Sequence, residues 1–239
     1  MESEILKELS ESGAESLSEA EAKKVLDEYD IPVPAEVKVD YEKGKDSKTY
    51  LSDLKEKGLP EYPVFLKVDS RDIKSSTDAN TLKRVKNDAE AEKAIEEILS
   101  NAKEYDEKAE IQGILASEDV SSDDAREIFL GAIDDEQFGH VISLGFGGVN
   151  VEVYEDVEFR VVPLAESDVR SMIHDLKGKK RLEEFRGMKP VGIESLVEVT
   201  LKLSDLVENN PEIKEMDLNP LLATPKECIV VDVLFRLSQ

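Results

Sequence analysis

The chain has 239 residues, with 55 acidic against 31 basic side chains and a net charge of −24. This length suffices for one large domain or two lobes, and such a surface repels nucleic acid and anionic membranes. No apolar run approaches the ~20 residues of a membrane span. The acidic N-terminus is not a secretory signal. A single cysteine, Cys228, cannot form an internal disulfide, which favours a cytoplasmic location.

The excess of acidic residues predicts a protein adapted to high salt. Screening by salt relieves the self-repulsion of a strongly charged surface, so such a chain stays compact and dissolved where ionic strength is high. Lysine nevertheless remains common in this sequence. An acidic protein from an ordinary mesophile is therefore the alternative to a salt-loving source.

The N-terminal third begins with a polar segment over residues 1–16, which predicts a short helix or a loose arm. Ser18, followed three residues later by Glu21, forms a capping-box pattern, so a helix is expected to begin there. The two prolines of the segment 31–34 force extended backbone and end this helix. A short strand over 37–39 and a helical segment within 41–59 are expected to follow.

The next segment predicts a buried strand over 62–68 that carries Lys67, then a polar loop over 69–81 and a strand over 82–85. Residues 88–104 show the apolar spacing of an amphipathic helix. Three acidic residues, Asp88, Glu92 and Glu96, follow one another at i, i+4 spacing on this helix, where like charges repel.

The remaining chain is rich in strands. They are predicted at 111–116, 127–133, 140–144, 149–154 and 159–162, followed by two or three helices within 166–208 and a closing hairpin. Strands and helices do not alternate strictly. The class is therefore α+β or α/β and not a Rossmann sheet, with a domain boundary expected near 104–108.

Polar side chains mark the two closing strands. Alternation places Asp217 and Asn219 on one face of the first strand, and a hairpin through Thr224–Lys226 brings Asp232 back towards them. Two carboxylates and an amide carbonyl form an all-oxygen set that suits Mg²⁺ holding nucleotide phosphates. Spacing alone equally permits a polar strand edge that ends in a turn.

Several segments, in order along the chain, resemble those of the ATP-grasp subunit of ADP-forming acyl-CoA synthetases, relatives of succinyl-CoA synthetase β. The motifs are Ile31-Pro32-Val33-Pro34, the Lys67 strand, Asp135-Glu136-Gln137-Phe138-Gly139, Gly145-Phe146-Gly147-Gly148, Val151-Glu152-Val153, Phe159-Arg160-Val161-Val162-Pro163-Leu164, Arg186-Gly187 and Glu215-Met216-Asp217-Leu218-Asn219-Pro220-Leu221. The resemblance covers roughly residues 16–236.

The resemblance implies an ATP-grasp fold in two lobes, with an N-terminal arm over 1–16, an N-lobe over 17–104 and a C-lobe over 105–239. In this family Mg-ATP or Mg-ADP binds between the lobes, and a CoA-binding α-type partner subunit completes a hetero-oligomer. The implied activity is that of an acetate–CoA ligase (ADP-forming), which couples acyl-CoA cleavage to ATP formation. The nucleotide-binding residues implied are Lys67, Ser70, Asp78 and Glu152, and the Mg²⁺ ligands implied are Asp217, Asn219 and Asp232.

The departures from the family concern the phosphate-carrying loop and Asp134. Asp134 stands where the family usually has an arginine before its Asp-Pro-Gln-Phe-Gly segment, so a negative charge replaces a positive one that is expected to face phosphate. Ser75 stands at the histidine position, Ser76 at the lysine position, and Asn80 and Thr81 replace two glycines. Imidazole can accept and release a phosphoryl group near neutral pH, whereas a serine phosphoester is stable and a poor carrier. The sequence therefore names no catalytic residue. Its alternative function is a degenerate ATP-grasp protein that serves as a nucleotide-binding or subunit-interaction module.

Two other features of the sequence are interpreted as structural. His140 is expected at a strand start and His174 on a surface helix face, so neither is expected to replace the missing histidine. The only basic island, 177–181, is read as a solvated helix terminus. An acidic partner or a CoA phosphate is the alternative occupant of that island.

Overall fold

The computed structural model describes residues 2–148 and 156–238. The chain divides into two compact units. The smaller unit comprises residues 18–20 and 34–120, and the larger comprises 1–17, 21–33 and 121–239. Both contain helices and a sheet, which confirms the mixed α and β class. Within the described residues, no helix combines the length and apolar character needed to cross a bilayer.

The smaller unit is built on a four-stranded antiparallel sheet of order β1-β4-β2-β3. Its strands are β1 (Glu36–Asp40), β2 (Val64–Asp69), β3 (Leu82–Val85) and β4 (Gly113–Glu118), and its helices are α3 (Ser47–Glu56) and α4 (Asp88–Tyr105). The boundary expected near 104–108 precedes β4. Because β4 pairs with both β1 and β2, the unit extends to Val120.

Helix α4 has the amphipathic character that its sequence predicts. Asn87 caps its first turn by accepting a hydrogen bond from the Glu90 N–H at 3.0 Å. Its apolar stripe is buried against the sheet side of the unit and includes Ala91, Ile95 and Ile98. Burial of this stripe, rather than helix propensity, holds the helix in place.

Two of the three like charges on α4 have partners from outside the helix. Asp88 pairs with Lys55 of α3 at 2.5 Å, which lowers the pKa of Asp88. Glu96 accepts a hydrogen bond from the Ser47 hydroxyl at 2.8 Å. The tertiary structure therefore offsets part of the repulsion that the i, i+4 spacing predicts.

The larger unit contains a six-stranded antiparallel sheet of order β10-β8-β5-β6-β7, with β9 also paired to β8. Its strands are β5 (Arg126–Asp135), β6 (Gly139–Phe146), β7 (Val157–Val161), β8 (Ile213–Ala223), β9 (Cys228–Val230) and β10 (Val233–Leu237). Its helices are α1 (Glu4–Glu11), α2 (Glu19–Glu28), of which residues 21–28 belong to this unit, α5 (Glu166–Asp175) and α6 (Ile193–Asn209), with a 3-10 turn at Lys179–Arg181. The strand predicted at 149–154 lies outside the described residues.

The polar N-terminal segment is a helix packed into the larger unit. Leu6 of α1 is fully buried in the core of this unit. The Ser3 N–H donates to the buried Asn210 side chain at 2.8 Å, and Asn210 in turn donates to the Tyr29 hydroxyl at 2.7 Å. These bonds tie the start of the chain to the end of α6, so the segment is ordered despite its polar composition.

The acidic surface leads to a prediction about salt. At a net charge of −24 the folded chain repels itself, and we expect the melting temperature to rise steadily from low salt to molar KCl. The Debye length falls from ~10 Å at ~0.1 M to ~3 Å at ~1 M, so screening acts over this range. Thermal unfolding followed by circular dichroism across a KCl series measures the effect.

Acidification provides the control for this prediction. At about pH 4.5 many carboxylates are partly protonated, so the slope of melting temperature against salt should become shallower. A melting temperature that stays flat or falls with KCl at neutral pH would show that the acidic surface is not an adaptation to salt.

Candidate functional site in the larger unit

Strand β8 carries its polar residues on the side opposite the core. Met216 and Leu218 are buried in the core of the larger unit, while Asp217 and Asn219 are only half-buried. Alternate residues of a strand point to opposite faces, so the two polar side chains share one face, as the sequence predicts.

A bulge interrupts β8 immediately after Asn219. Ile128 of β5 pairs with Leu221, and Leu130 pairs with Leu218, so Asn219 and Pro220 together oppose one residue of β5. A bulge bends the strand and re-aims the side chains beside it, and it suits a proline because proline has no N–H to donate. The bulge therefore sets the direction of Asn219 relative to Asp217.

Asp232 occupies the break between β9 and β10. These strands pair with the two halves of β8 on either side of the bulge, through Leu221↔Val230 and Leu218↔Val233. The Asn219 N–H donates to the Asp232 carbonyl at 3.1 Å. The hairpin thus returns the chain to the first polar strand, and Asp232 meets it beside Asn219.

The glycine turn after β6 lies against the same strand. A Cβ added at Gly147 would lie 3.1 Å from Asn219 Oδ1 and 3.1 Å from the Ile128 carbonyl carbon. The Gly147 N–H donates to the Glu127 carbonyl at 2.8 Å, which holds the turn against β5. Only a residue without a side chain allows this close approach to Asn219.

Asp217 is the most perturbed carboxylate of the site. Burial, together with the nearby negative charges of Asp232 and Glu215, raises its pKa to about 6. Its Oδ1 atom is buried, and no residue that the structure describes donates a hydrogen bond to it. A buried carboxylate oxygen without a partner carries a desolvation cost that a bound cation would remove.

The donor set fits a hard divalent cation. Asp217, Asn219 and Asp232 offer carboxylate and amide oxygens, the ligands that Mg²⁺ prefers. These three side chains fill only part of an octahedral coordination shell, so phosphate oxygens can complete it. No cluster of three His, Cys, Asp or Glu side chains suited to a metal occurs in residues 2–148 and 156–238. The candidate site is therefore a two-carboxylate set completed by an amide.

The raised pKa of Asp217 predicts a pH-dependent stability. In the folded chain this pKa is about 6 against an ordinary value of 3.8. The loss of folding stability caused by ionising Asp217 is therefore absent below pH 4, grows between pH 4 and 6, and is complete above that range. We expect Asp217→Asn to raise the free energy of unfolding of the metal-free protein by about 2 kcal/mol at pH 7.5. The gain should disappear near pH 4.

Urea unfolding in EDTA at several pH values measures this effect. Asp205→Asn, which alters an exposed carboxylate of α6, is the matched control and should change stability by less than about 0.5 kcal/mol. Equal stability of Asp217→Asn and the parent at pH 7.5 would contradict the raised pKa.

Lys67 lies on β2 of the smaller unit and already has an anionic partner. Its ammonium forms an ion pair with the Glu19 carboxylate, and both side chains are largely shielded from solvent. The pair fixes the position of the lysine. The sequence did not single out Glu19, although it stands next to Ser18 in the capping-box pattern.

The loop after Lys67 is held by its own hydrogen bonds. The buried Ser70 hydroxyl donates to the Glu110 carbonyl at 2.8 Å, and it accepts from the Asp72 N–H. Asp78 is exposed, and its N–H donates to the Ser75 hydroxyl at 3.2 Å. Ser70 and Ser75 therefore use their hydroxyls to shape the loop.

The glycine positions of the family are filled in different ways. Asn80 has a φ of 50°, in the left-handed region that asparagine tolerates better than most residues. Thr81 is fully buried, and its N–H donates to the Ser76 carbonyl at 2.9 Å. The backbone turn is thus kept without either glycine.

The two histidines have the structural settings that the sequence predicts. His140 Nε2 lies 2.7 Å from the Ile213 carbonyl, which joins β6 to the start of β8. The His174 side chain on α5 is 77% exposed. The fourth residue expected at a nucleotide, Glu152, lies outside the described residues.

A family model described as the ATP-grasp domain matches residues 8–237 of the chain. The β subunit of acetate–CoA ligase (ADP-forming) II from Pyrococcus furiosus is 39% identical over 232 residues, which cover 95% of this chain and 94% of that subunit. The corresponding subunit of ligase I from the same organism is 38% identical and covers 90% of this chain and 89% of that subunit.

The chain belongs to the ATP-grasp family, among the subunits of ADP-forming acyl-CoA synthetases. The 39% identity over nearly the whole of both chains decides this. The family predicted from the sequence motifs is therefore confirmed. A degenerate module outside these ligases finds no support among the relatives.

Solved structures agree with this membership. Acetyl-coenzyme A synthetase 1 of Candidatus Korarchaeum cryptofilum, in complex with coenzyme A and Ca-AMPCP, superposes with a TM-score of 0.89 at 37% identity, covering 98% of both chains. A second structure of that enzyme contains coenzyme A and Mg-AMPPCP and has a TM-score of 0.80 at 33% identity, again covering 98% of both chains. The expected ATP-grasp fold is confirmed.

Some relatives carry the same region within a longer chain. The 4-hydroxybutyrate–CoA ligase (ADP-forming) of Nitrosopumilus maritimus is 38% identical over 91% of this chain, which corresponds to 30% of that enzyme. The family thus includes separate β subunits and longer single-chain enzymes.

Proposed function

We propose that this chain is the nucleotide-binding subunit of an acetate–CoA ligase (ADP-forming) and interconverts acyl-CoA, ADP and phosphate with free acid, CoA and ATP. The observation that carries the proposal is the buried Oδ1 of Asp217, which accepts no hydrogen bond from the described residues, beside Asp232 and Asn219. This arrangement is costly unless a cation binds there. Its presence in a chain that is 39% identical to ligase β subunits argues for a retained nucleotide site.

Asp217, Asn219 and Asp232 would hold Mg²⁺, which when bound neutralises nucleotide phosphate charge. Gly147 keeps the space beside Asn219 free of a side chain, and the bulge at Pro220 orients the amide. The ammonium of Lys67 is proposed as a donor to phosphate oxygens, held in place by Glu19 until phosphate competes for it. Asp78 and Glu152 are proposed to lie near the nucleotide, while Ser70 acts by shaping the loop.

A CoA-binding α-type partner is part of the proposal. The relatives that match this chain end to end are named as β subunits, whereas longer relatives contain the same region in one chain. We therefore infer a hetero-oligomer in which the partner binds CoA. Because Ser75 cannot serve as a reversible phosphoryl carrier, the partner is also proposed to supply the histidine. A cytoplasmic location stays a prediction.

Reconstitution tests the function. The chain is mixed with a CoA-binding α-type subunit from the same source, and ATP formation from acetyl-CoA, ADP and phosphate is followed with luciferase. We expect ATP only when both chains are present, and a loss of about 100-fold or more in Asp217→Asn. Asp205→Asn, at an exposed position on α6, serves as the matched control and should keep full activity.

The degenerate alternative predicts a different result. A nucleotide-binding module would bind Mg-ADP in calorimetry but form no ATP with any partner and any acyl-CoA. ATP formation that is insensitive to Asp217→Asn would remove the assignment of the metal site while leaving the ligase activity in place.

A further inference from the structure

A cavity of about 310 Å³ lies in the larger unit, beside the loop that follows the 3-10 turn. Arginine dominates its lining. The cavity is lined by Ala125, Arg126, Glu127, Arg181, Phe185, Arg186 and Met188. Its volume is that of a small-ligand site. In a chain with a net charge of −24, three arginines at one cavity form an unusual concentration of positive charge.

Arg181 and Arg186 differ from Arg126, whose guanidinium donates to backbone carbonyls. Within the described part of the chain, neither Arg181 nor Arg186 has a carboxylate within 4.0 Å of its guanidinium. Other arginines of the larger unit do have such partners, as Arg170 does with Glu166 at 2.7 Å and Glu194 at 2.5 Å. Because carboxylates outnumber cations in this chain, cations left unpaired at one cavity indicate an anion that comes from outside.

Aromatic rings position both free guanidiniums. Arg181 lies 4.7 Å from the centroid of the Phe146 ring, and Arg186 lies 5.5 Å from that of Phe185. Stacking on a ring engages the face of the planar guanidinium and leaves its N–H edge available. That edge matches the paired oxygens of a phosphate or carboxylate.

Arg186 is held in an unfavourable backbone conformation. It has a φ of 51°, followed by Gly187 at 83°, at the tip of a two-residue turn closed by hydrogen bonds between Phe185 and Met188. Such a turn requires left-handed backbone at both central positions, and arginine adopts it at a cost in free energy. Glycine would adopt this conformation without strain, so the needs of folding do not explain why an arginine stands at position 186.

Arg126 builds the loop that presents these groups. Its buried guanidinium donates to the Arg181 carbonyl at 2.7 Å, the Asp124 carbonyl at 2.6 Å and the Lys189 carbonyl at 3.1 Å. Asp124 also accepts from the Lys189 N–H at 2.9 Å. The loop is therefore fixed at both ends of the segment that carries Arg186, which lowers the cost of binding.

Asp156 fixes the start of the same loop. Its carboxylate accepts from the Lys177 N–H at 2.8 Å and from the Gly178 N–H at 2.7 Å. The basic island at 177–181 is thus an ordered turn rather than a frayed helix end. Its lysines add positive potential beside the cavity.

We propose that Arg181 and Arg186 form a binding site for a phosphate group at this cavity. Two guanidiniums match the double negative charge of phosphate, and a strongly acidic chain needs such a local positive field to attract a free anion. Glu127 also lines the cavity, and its carboxylate limits how tightly an anion is held. The phosphate can be inorganic phosphate, that of ADP, or that of coenzyme A.

Calorimetric titrations of the full chain with inorganic phosphate, Mg-ADP and coenzyme A distinguish these sources. We expect at least one ligand to bind about 10-fold or more weakly to both Arg186→Gly and Arg181→Gln, because each change removes a charged donor. Lys24→Gln removes one exposed positive charge from α2 of the same unit and should change affinity less than about 2-fold. The ligand whose affinity depends on both arginines is the occupant.

Further measurements sharpen the test. Glu127→Gln should tighten binding of that ligand, because it removes a negative charge from the cavity wall. With divalent cations removed by EDTA, binding of inorganic phosphate to the parent should persist, so the failure of the metal site does not imply the failure of this one. Arg186→Gly is also expected to melt at or above the parent temperature, because glycine relieves the strained φ.

The proposal is overturned if none of the three ligands binds in a manner that depends on Arg181 and Arg186. It is equally overturned if Lys24→Gln weakens binding as much as Arg186→Gly does, since that would reveal attraction to overall charge only.

Discussion

Asp232→Ala is expected to abolish metal-dependent nucleotide binding. Asp232 meets β8 at the break between β9 and β10, and its negative charge contributes to the raised pKa of Asp217. Removing it leaves one carboxylate and one amide, too few anionic ligands to hold Mg²⁺ with a nucleotide. We expect calorimetry with Mg-ADP to show affinity at least about 100-fold weaker than that of the parent.

The same titration has clear controls. Asp205→Asn removes an exposed negative charge from α6 of the same unit and should bind Mg-ADP as the parent does. EDTA should eliminate binding to the parent, since the site depends on the cation. Equal binding by Asp232→Ala and the parent, or no binding by the parent, would remove the assignment of Asp217, Asn219 and Asp232 as metal ligands.

The chain alone is expected to form no phosphohistidine from ATP. Position 75 is serine, and its hydroxyl accepts a hydrogen bond from the Asp78 N–H within the loop. His140 is engaged with the Ile213 carbonyl, and the exposed His174 lies 3.3 Å from the Asp175 carboxylate. Incubation with radiolabelled Mg-ATP should therefore leave no acid-labile, base-stable label on this chain.

The partner changes the expected labelling. With the CoA-binding chain present, we expect the acid-labile label to appear on the partner. Ser75→Ala should retain turnover of the reconstituted pair within about 3-fold, because the hydroxyl is not a phosphoryl carrier. An acid-labile label on His140 or His174 would show that this chain carries phosphate itself. An acid-stable label on Ser75 would mark a serine phosphoester.

Local patterns account for much of the fold and for two of the three proposed metal ligands. The period-2 alternation of β8 places Asp217 and Asn219 on one face because each apolar neighbour must enter the core. The apolar spacing of residues 88–104 likewise determines α4. Such periodicities are visible in sequence because they depend on neighbours only a few residues apart.

The direction of Asn219 depends on the tertiary structure. The bulge at Pro220 exists because β5 pairs with β8 across about ninety positions of sequence, and β9 and β10 pair with its two halves. Proline in a strand pattern is the one local sign of it. The raised pKa of Asp217 follows from the same pairing, since burial and the approach of Asp232 are both long-range effects.

The sequence by itself determined the family and the mixed class, and it predicted three oxygen ligands that stay a prediction. Only the tertiary structure paired Lys67 with Glu19, 48 positions earlier, and placed Arg126 against carbonyl groups 55 and 63 positions away. The physical reason is that a charge finds its partner through the packing of distant segments, where burial makes an unpaired group costly. Residue types indicate which chemistry is available, and the fold determines which groups come into contact.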